Sequence, residues 1–322
     1  MKLRRTQILS LVNQHYPSIG NIARIEELNP SGINSKNFLI ITKKEKFILK
    51  QFLDDTTIQK MEKICKIMKY CTKKNIKISE PIHTIEKKFV IRKYRMYLIK
   101  YYDGKQCSCK NKEIRDLAKN LSLLHNELRK ITPKYRFSRN NRGHKILNQN
   151  EILEIEKKIK RKQKLDIIDK QVIKRIDSFQ EYSKQVSNFS YFHKTSKQQL
   201  IHNDLIPSNA IFKNNRLVAI IDFGSLQLGS IYDDLVYCSF RFIIKNTKNS
   251  RNIKNKIAIF LKNYEHKDFE KLEFNEYKMI LLEIILKKIS ILIREKYVMK
   301  SNLWNRDFRK FIGFLEIYKL IS

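Results

Sequence analysis

The sequence predicts an α+β chain in two lobes, a small mixed lobe over residues 1–103 and a larger helical lobe over 104–322. Short apolar runs with strand character crowd into the first hundred residues. Helical periodicity dominates after residue 111, and a short connector near residues 100–104 separates the two regimes.

Residues 6–16 repeat apolar positions at helical spacing. Residues 37–42 (NFLIIT) and 46–52 (KFILKQF) are short apolar runs joined by the charged turn Lys43, Lys44 and Glu45, a hairpin by pattern. Over 56–72, Ile58, Met61, Ile64, Cys65 and Met68 fall on one face, which predicts a helix. Pro81 breaks the chain. Residues 88–91 and 96–102 form a second strand pair, closed by the turn Asp103 and Gly104. Residues 111–128, 150–187 and 251–322 read as highly charged helices, and 134–148 as the least structured stretch. The run IFKNNRLVAII, residues 211–221, alternates as a hairpin about Asn214 and Asn215. No internal repeat is visible, and the 5 prolines and 7 glycines build no long flexible linker.

Composition narrows the class. The chain has 322 residues, enough for a substantial core, and 42% of them are apolar. Lys and Arg number 67 against 32 Asp and Glu, a formal net charge of +35. Such an excess invites phosphates. The basic residues are nevertheless spread along the chain with Ile and Asn, as a coding-level bias would spread them, so no specific nucleic acid is expected. The 5 cysteines and a start without an apolar signal core indicate a reducing, cytoplasmic setting. Cys107 and Cys109 lack a matching His or Cys pair for metal ligation. The longest apolar stretch, from Met279, is interrupted by Glu283, Lys287 and Lys288. It predicts a buried amphipathic helix and no membrane span.

The chemistry concentrates in residues 200–234. His202, Asp204 and Asn209 have the form H-x-D-x-x-x-x-N, and Asp222 follows in VAIIDFG. Phosphoryl transfer from ATP passes through a loose transition state, so a protein must chiefly position reactants and neutralise oxygen charge. One carboxylate takes the proton of the attacking hydroxyl, a role that suits Asp204. A second carboxylate and an amide oxygen hold Mg²⁺ on the phosphates, which suits Asp222 and Asn209. Taken singly, Asp204 reads equally well as a helix cap and Asp222 as a surface turn; their joint spacing and apolar flanks argue for the catalytic reading.

With these motifs the chain resembles the superfamily of aminoglycoside phosphotransferases, choline kinases and homoserine kinases, which share a bilobal protein-kinase-like fold. Gly229, Asp234 and Leu235 match the Gly and Asp-Leu pair that follow the second motif in that family. The resemblance implies that Lys50, partly buried on the second hairpin strand, contacts the nucleotide phosphates and is steadied by Glu62 on the next helix. It implies that the main chain of Ile99, Lys100, Tyr101 and Tyr102 binds the adenine edge. In the turn NPSGINSKNF, Ser31 and Gly32 offer backbone donors over the phosphates. For His125, matching a Leu-His pair of the family, a hydrogen-bonded packing role is the favoured reading. His-Asn-Asp replaces the commoner His-Gly-Asp, as in the choline-kinase branch, while IDFG lacks the acidic residue usual there. Asp222, Phe223 and Gly224 also spell the protein-kinase metal motif, but no Ala-Pro-Glu follows and the segment before Asp234 is short, so a small acceptor is expected.

The implied function is transfer of the γ-phosphate of ATP, with Mg²⁺, to a hydroxyl of a small molecule such as an amino alcohol, aminoglycoside or sugar. Asp233, Glu265, Asp268, Glu276 and Glu283, or the rings of Tyr232, Tyr237, Phe240, Phe242, Tyr264 and Trp304, are candidates for a cationic acceptor, each more simply read as packing or solvated charge. A second class stays open: a catalytically silent kinase-like protein that binds RNA or an anionic membrane through basic helices such as residues 157–164 (KKIKRKQK).

Overall fold

A computed structural model describes the chain apart from residues 1–3, 29–34, 54–55, 136, 138–144, 190–196, 248, 300–304 and 322. Its secondary structure is mixed α and β, with the larger sheet near the N-terminus and helices prevailing after it. The chain separates into two compact units, one of residues 1–136, 204–226 and 264–266, the other of 137–203, 227–263 and 267–322. The helix after the connector and the hairpin leading to Asp222 therefore belong to the same unit as the sheet.

In the first unit a 5-stranded sheet runs in the order β1-β2-β3-β5-β4. Its strands are β1 Ile22–Leu28, β2 Ser35–Thr42, β3 Lys46–Phe52, β4 Val90–Ile91 and β5 Met96–Lys100. The β2–β3 hairpin forms as its pattern predicts. Thr42 Oγ1 closes the turn, accepting from Glu45 N at 3.1 Å and donating to Glu45 O at 2.9 Å. β1 is an edge strand that the pattern did not mark. On one face of the sheet Phe47 and Leu49 join Phe38, Ile40, Met96 and Leu98, and helix α1 (Arg5–His15) buries Ile8, Leu11 and Val12 against them. Burial of each such side chain contributes about 1.5–3 kcal/mol. Strand alternation turns Ile48, Lys50 and Phe52 to the opposite face.

Helix α2 (Ile58–Lys73) starts where Thr57 Oγ1 accepts from Lys60 N at 3.2 Å, and it buries Met61, Ile64, Cys65, Ile67, Met68 and Cys71. After the connector come β6 (Lys105–Gln106) and α3 (Asn111–Ile131). Gly104 is required at this corner, since a Cβ there would lie 2.5 Å from Ile211 Cγ2 and 2.6 Å from Phe212 O.

The second unit holds the helices α4 (Gln149–Lys160), α5 (Ile167–Ile173), α6 (Ile176–Phe189), α7 (Ile231–Lys245), α8 (Ser250–Lys262), α9 (Phe274–Tyr297) and α10 (Asn305–Ile321). The predicted helix over 150–187 is thus three shorter ones. Asp166 stops continuity: its Oδ1 accepts from Ile168 N at 2.8 Å and Asp169 N at 2.9 Å, an N-cap that opens α5. The apolar stretch from Met279 is a core helix within α9, and Phe240 and Phe242 on α7 are buried as well. Among the described residues no helix is long and apolar enough to cross a membrane. A short antiparallel pair joins β7 (Gln199–Ile201) to β10 (Gln227–Gly229). Gly229 permits it, because a Cβ there would meet Ile201 Cδ1 at 2.4 Å.

All cysteines (Cys65, Cys71, Cys107, Cys109 and Cys238) are free and buried. Burial pushes the Cys71 thiol up to about 12 and raises Cys65 and Cys238 well above the usual thiol value.

Candidate active site

The strands β8 (Ala210–Lys213) and β9 (Arg216–Ile220) form the hairpin predicted about Asn214 and Asn215. Both turn residues take positive φ, 53° and 58°, the conformation a tight two-residue hairpin demands and Asn tolerates. Pairing of Ala210 with Ile220 brings the end of β9 back to the start of β8, and Ile221 N donates to Asn209 O at 2.9 Å. Asp222 thereby follows directly from a residue bonded to Asn209. Its own φ of 63° is left-handed, a strained setting for a residue with a side chain and common at functional positions.

The hairpin is clamped to the rest of the first unit. Asp116 on α3 accepts from Leu217 N at 2.6 Å. Ile220 N donates to Lys77 O at 2.8 Å, and Ser79 N to Ile220 O at 3.0 Å.

Asp204 and Asn209 are joined by side chain. Asn209 Nδ2 donates to Asp204 O at 2.8 Å and to Asp204 Oδ2 at 3.2 Å, while its Oδ1 accepts from Ser208 Oγ at 3.4 Å and keeps a second lone pair with which a cation could be met. Asn209 is buried while Asp204 and Asp222 are half-buried. Within the second unit, buried Asp234 accepts from His202 N and Asn203 N, each at 2.9 Å, and so fixes the backbone immediately ahead of Asp204 in the chain. The sequence marked Asp234 as a motif residue without revealing this role.

Lys50 Nζ lies 2.5 Å from Asp222 Oδ1. The lysine side chain is 7% exposed and the aspartate 42%, so the cation is walled in while the carboxylate opens to solvent. Phe52 lies beside the ammonium at 5.3 Å and stacks on Tyr97 at 5.7 Å. Phe223 is fully buried under α2, and a Cβ on Gly224 would press Asp222 Oδ1 at 3.3 Å, so the glycine leaves that carboxylate free of crowding.

The expected pairing of Glu62 with Lys50 is not found. Glu62 accepts instead from Val90 N at 3.0 Å and Phe89 N at 3.3 Å, satisfying donors at the start of β4. The physical reason is competition: two open N–H groups take the Glu62 carboxylate, and Lys50 is paired with Asp222. At the connector, Lys100 N donates to Glu80 O at 2.8 Å and Tyr101 N to Lys46 O at 3.0 Å. These two N–H groups are already used. That of Tyr102 has no partner among the described residues, while Ile99 pairs with Ile48 inside the sheet. Ser31, Gly32 and the acceptor candidate Trp304 lie outside the described residues.

His125 is fully buried, its Nδ1 2.6 Å from Tyr264 Oη, the packing role the sequence favoured. Several acceptor candidates are occupied internally. Glu283 pairs with Lys287 at 2.6 Å, Glu276 accepts from Glu273 N at 2.8 Å, and Tyr232 Oη accepts from Glu270 N at 3.0 Å.

No cluster of three or more His, Cys, Asp or Glu able to hold a metal occurs among the described residues. The donors present are instead one carboxylate, Asp222, and one amide oxygen, on Asn209. A carboxylate and an amide oxygen are hard donors of the kind Mg²⁺ accepts.

An α+β unit with such a loop and hairpin defines a phosphotransferase of the kinase type. The chain belongs to the phosphotransferase enzyme family, whose family model matches residues 25–257. Solved structures share the fold. Spectinomycin phosphotransferase APH(9)-Ia, in complex with ADP and spectinomycin, aligns with a TM-score of 0.69 at 16% identity over 100% of this chain and 94% of that one. Choline kinase LicA from Streptococcus pneumoniae aligns at 0.58 and 12% identity, covering 96% and 97%. The gentamicin complex of APH(2")-IIa aligns at 0.55 and 17% identity, with both chains covered fully at 100%. A search of curated proteins returns no match.

Proposed function

We propose that this kinase transfers the γ-phosphate of ATP to a hydroxyl group of a small molecule, and that an amino alcohol or an amino sugar is the acceptor class. The observation that carries the reading is the convergence of Lys50, Asp222, Asn209 and Asp204 in one compact unit, linked pairwise by the contacts described above. The structural neighbours named for spectinomycin, gentamicin and choline support the acceptor class.

In this scheme Asp204 accepts the proton of the attacking hydroxyl. Asn209 holds that carboxylate in place through its Nδ2, and its Oδ1 would be the atom offered to a metal. Asp222 and Asn209 would hold Mg²⁺, which when bound neutralises and orients the phosphate oxygens. Lys50 exchanges its ion pair with Asp222 for the nucleotide phosphates, so the present pair is a resting arrangement that ligand entry opens. The N–H of Tyr102 serves the adenine edge. Asp234 fixes the two backbone amides that precede Asp204 in the chain. A complete set of these groups favours activity over a silent kinase-like role.

The test is acceptor-dependent ADP release by the purified protein across choline, ethanolamine, homoserine, aminoglycosides and sugars, with and without Mg²⁺. Release with an amino alcohol or amino sugar is the expected result. ATP binding without release for any hydroxyl acceptor would overturn it.

A further inference from the structure

The first unit carries a concavity that the phosphotransfer chemistry does not use. It is a groove of about 980 Å³ between α2 and the segment from His83 to Arg92. One wall is Lys63, Lys66, Lys69 and Lys73, on one face of α2; the other is Lys87, Lys88 and Arg92. Glu62 is the one carboxylate lining it, and its oxygens are turned to Phe89 N and Val90 N. Lys69 pairs with Glu80 at 2.5 Å and Lys88 with Glu86 at 3.0 Å. Lys66, Lys73, Lys87 and Arg92 are exposed and form no ion pair among the described residues. A coding-level excess of lysine explains basic residues scattered over a surface. It does not explain two facing rows of them on a concave one.

The shape selects among anions. Lys63 to Lys73 spans about 15 Å at the helical rise of 1.5 Å per residue. That length accepts about four phosphates at the ~3.4 Å axial spacing of a nucleic-acid strand. A membrane surface would meet a flat or convex basic face, whereas here the charges face each other across a trough. The trough also has rings: Tyr70 lines it, and His83, exposed, packs against Phe89 with ring centroids 4.1 Å apart. Facing cations with an open ring between them are what sequence-tolerant binding of a single strand uses.

We propose that this groove binds single-stranded nucleic acid through its phosphate backbone, independently of the nucleotide site. Lys66, Lys73, Lys87 and Arg92 carry the phosphates, and His83 stacks a base. Burial first, then the charges of Lys69 and Lys73, hold the His83 imidazole below its ordinary value. A bound phosphate chain reverses the charge effect.

The experiment is fluorescence anisotropy of a labelled deoxythymidine 10-mer with the full chain between 50 and 300 mM salt. For about four neutralised phosphates, log K against log salt should fall with a slope of about −3, at ~0.7 per phosphate. Lys66→Ala with Lys73→Ala should reduce the slope by about 1.4. The Mg²⁺-ATP thermal shift of that variant should stay at the wild-type value, which shows an intact fold. On titration of the 10-mer, the His83 ring resonance should move toward the charged form. The proposal is overturned if the double variant keeps the wild-type slope, if Lys157→Ala with Lys160→Ala on α4 lowers it instead, if inorganic polyphosphate of equal charge binds as tightly as the 10-mer, or if anionic vesicles bind while the 10-mer does not.

Discussion

Replacing Lys50 with Met separates a structural from a functional account of the buried lysine. On the stability side, removing one member of a fully buried ion pair costs about 3–5 kcal/mol, because the abandoned charge cannot be solvated. Asp222 is 42% exposed, so water takes over much of the solvation and the loss approaches the exposed-pair range of about 0.2–1 kcal/mol. The unbranched methionine fills much of the same buried space as the lysine stem. A loss of about 1 kcal/mol corresponds to a fall in Tm of about 2–4 °C. On the reaction side, loss of one donor to developing phosphate charge costs about 2.7–4 kcal/mol, or about 10²–10³ in kcat. Scanning fluorimetry with and without Mg²⁺-ATP, paired with ADP release, reads both. Nucleotide at 100 times its Kd should stabilise the wild type by about 2.7 kcal/mol and Lys50→Met by much less. A large fall in Tm with the ATP-induced shift fully retained would refute the reasoning and leave Lys50 as a partner of Asp222 alone.

Asp204→Asn should lower turnover by about 10²–10⁴, the range for a general base, while isothermal titration finds ATP affinity within a few fold of wild type. Glu62→Ala should leave ATP affinity nearly unchanged and destabilise by about 1–3 kcal/mol through two orphaned N–H groups, with faster hydrogen exchange at Phe89 and Val90 as the direct readout. In the second unit, burial pushes the Asp169 carboxyl up, but hydrogen bonds from Lys162 and Tyr297 and the charge of Lys296 hold it down at about 2. A folded value below the unfolded one contributes stability above about pH 4, which is lost as pH falls toward 2. Denaturant melts of the wild type should weaken by about 2 kcal/mol over that window, and those of Asp169→Asn should not show this component.

The parts of this protein legible in its sequence are those where chemistry and local geometry coincide. H-x-D-x-x-x-x-N followed by Asp222 is readable because phosphoryl transfer needs those groups, and because Asn214 and Asn215 announce the turn that brings Asp222 back to Asn209. The β2–β3 hairpin is readable from its charged turn. Strand β1 escaped because it is an edge strand with adjacent Glu26 and Glu27, and it shows little alternation. Strands β6, β7 and β10 are too short to carry a pattern. The pairing of Glu62 with Lys50 that the resemblance implies is absent for a different reason: a motif match carries a residue's place on a helix but not the competing donors around it. Those donors are the open amides of Phe89 and Val90, which sequence does not display. Asp234 was recognisable as a motif residue, yet its two backbone partners lie about thirty residues earlier and emerge only from the fold.

The burial of Cys65, Cys71, Cys107, Cys109 and Cys238 has a practical corollary. Maleimides and other alkylating reagents attack the thiolate, and shielded thiols held in their protonated form react slowly. A single cysteine introduced at an exposed position such as Lys66 would then take a dye or spin label without a cysteine-free background. Any slow alkylation of the native thiols would serve as a clock for transient opening of the interior.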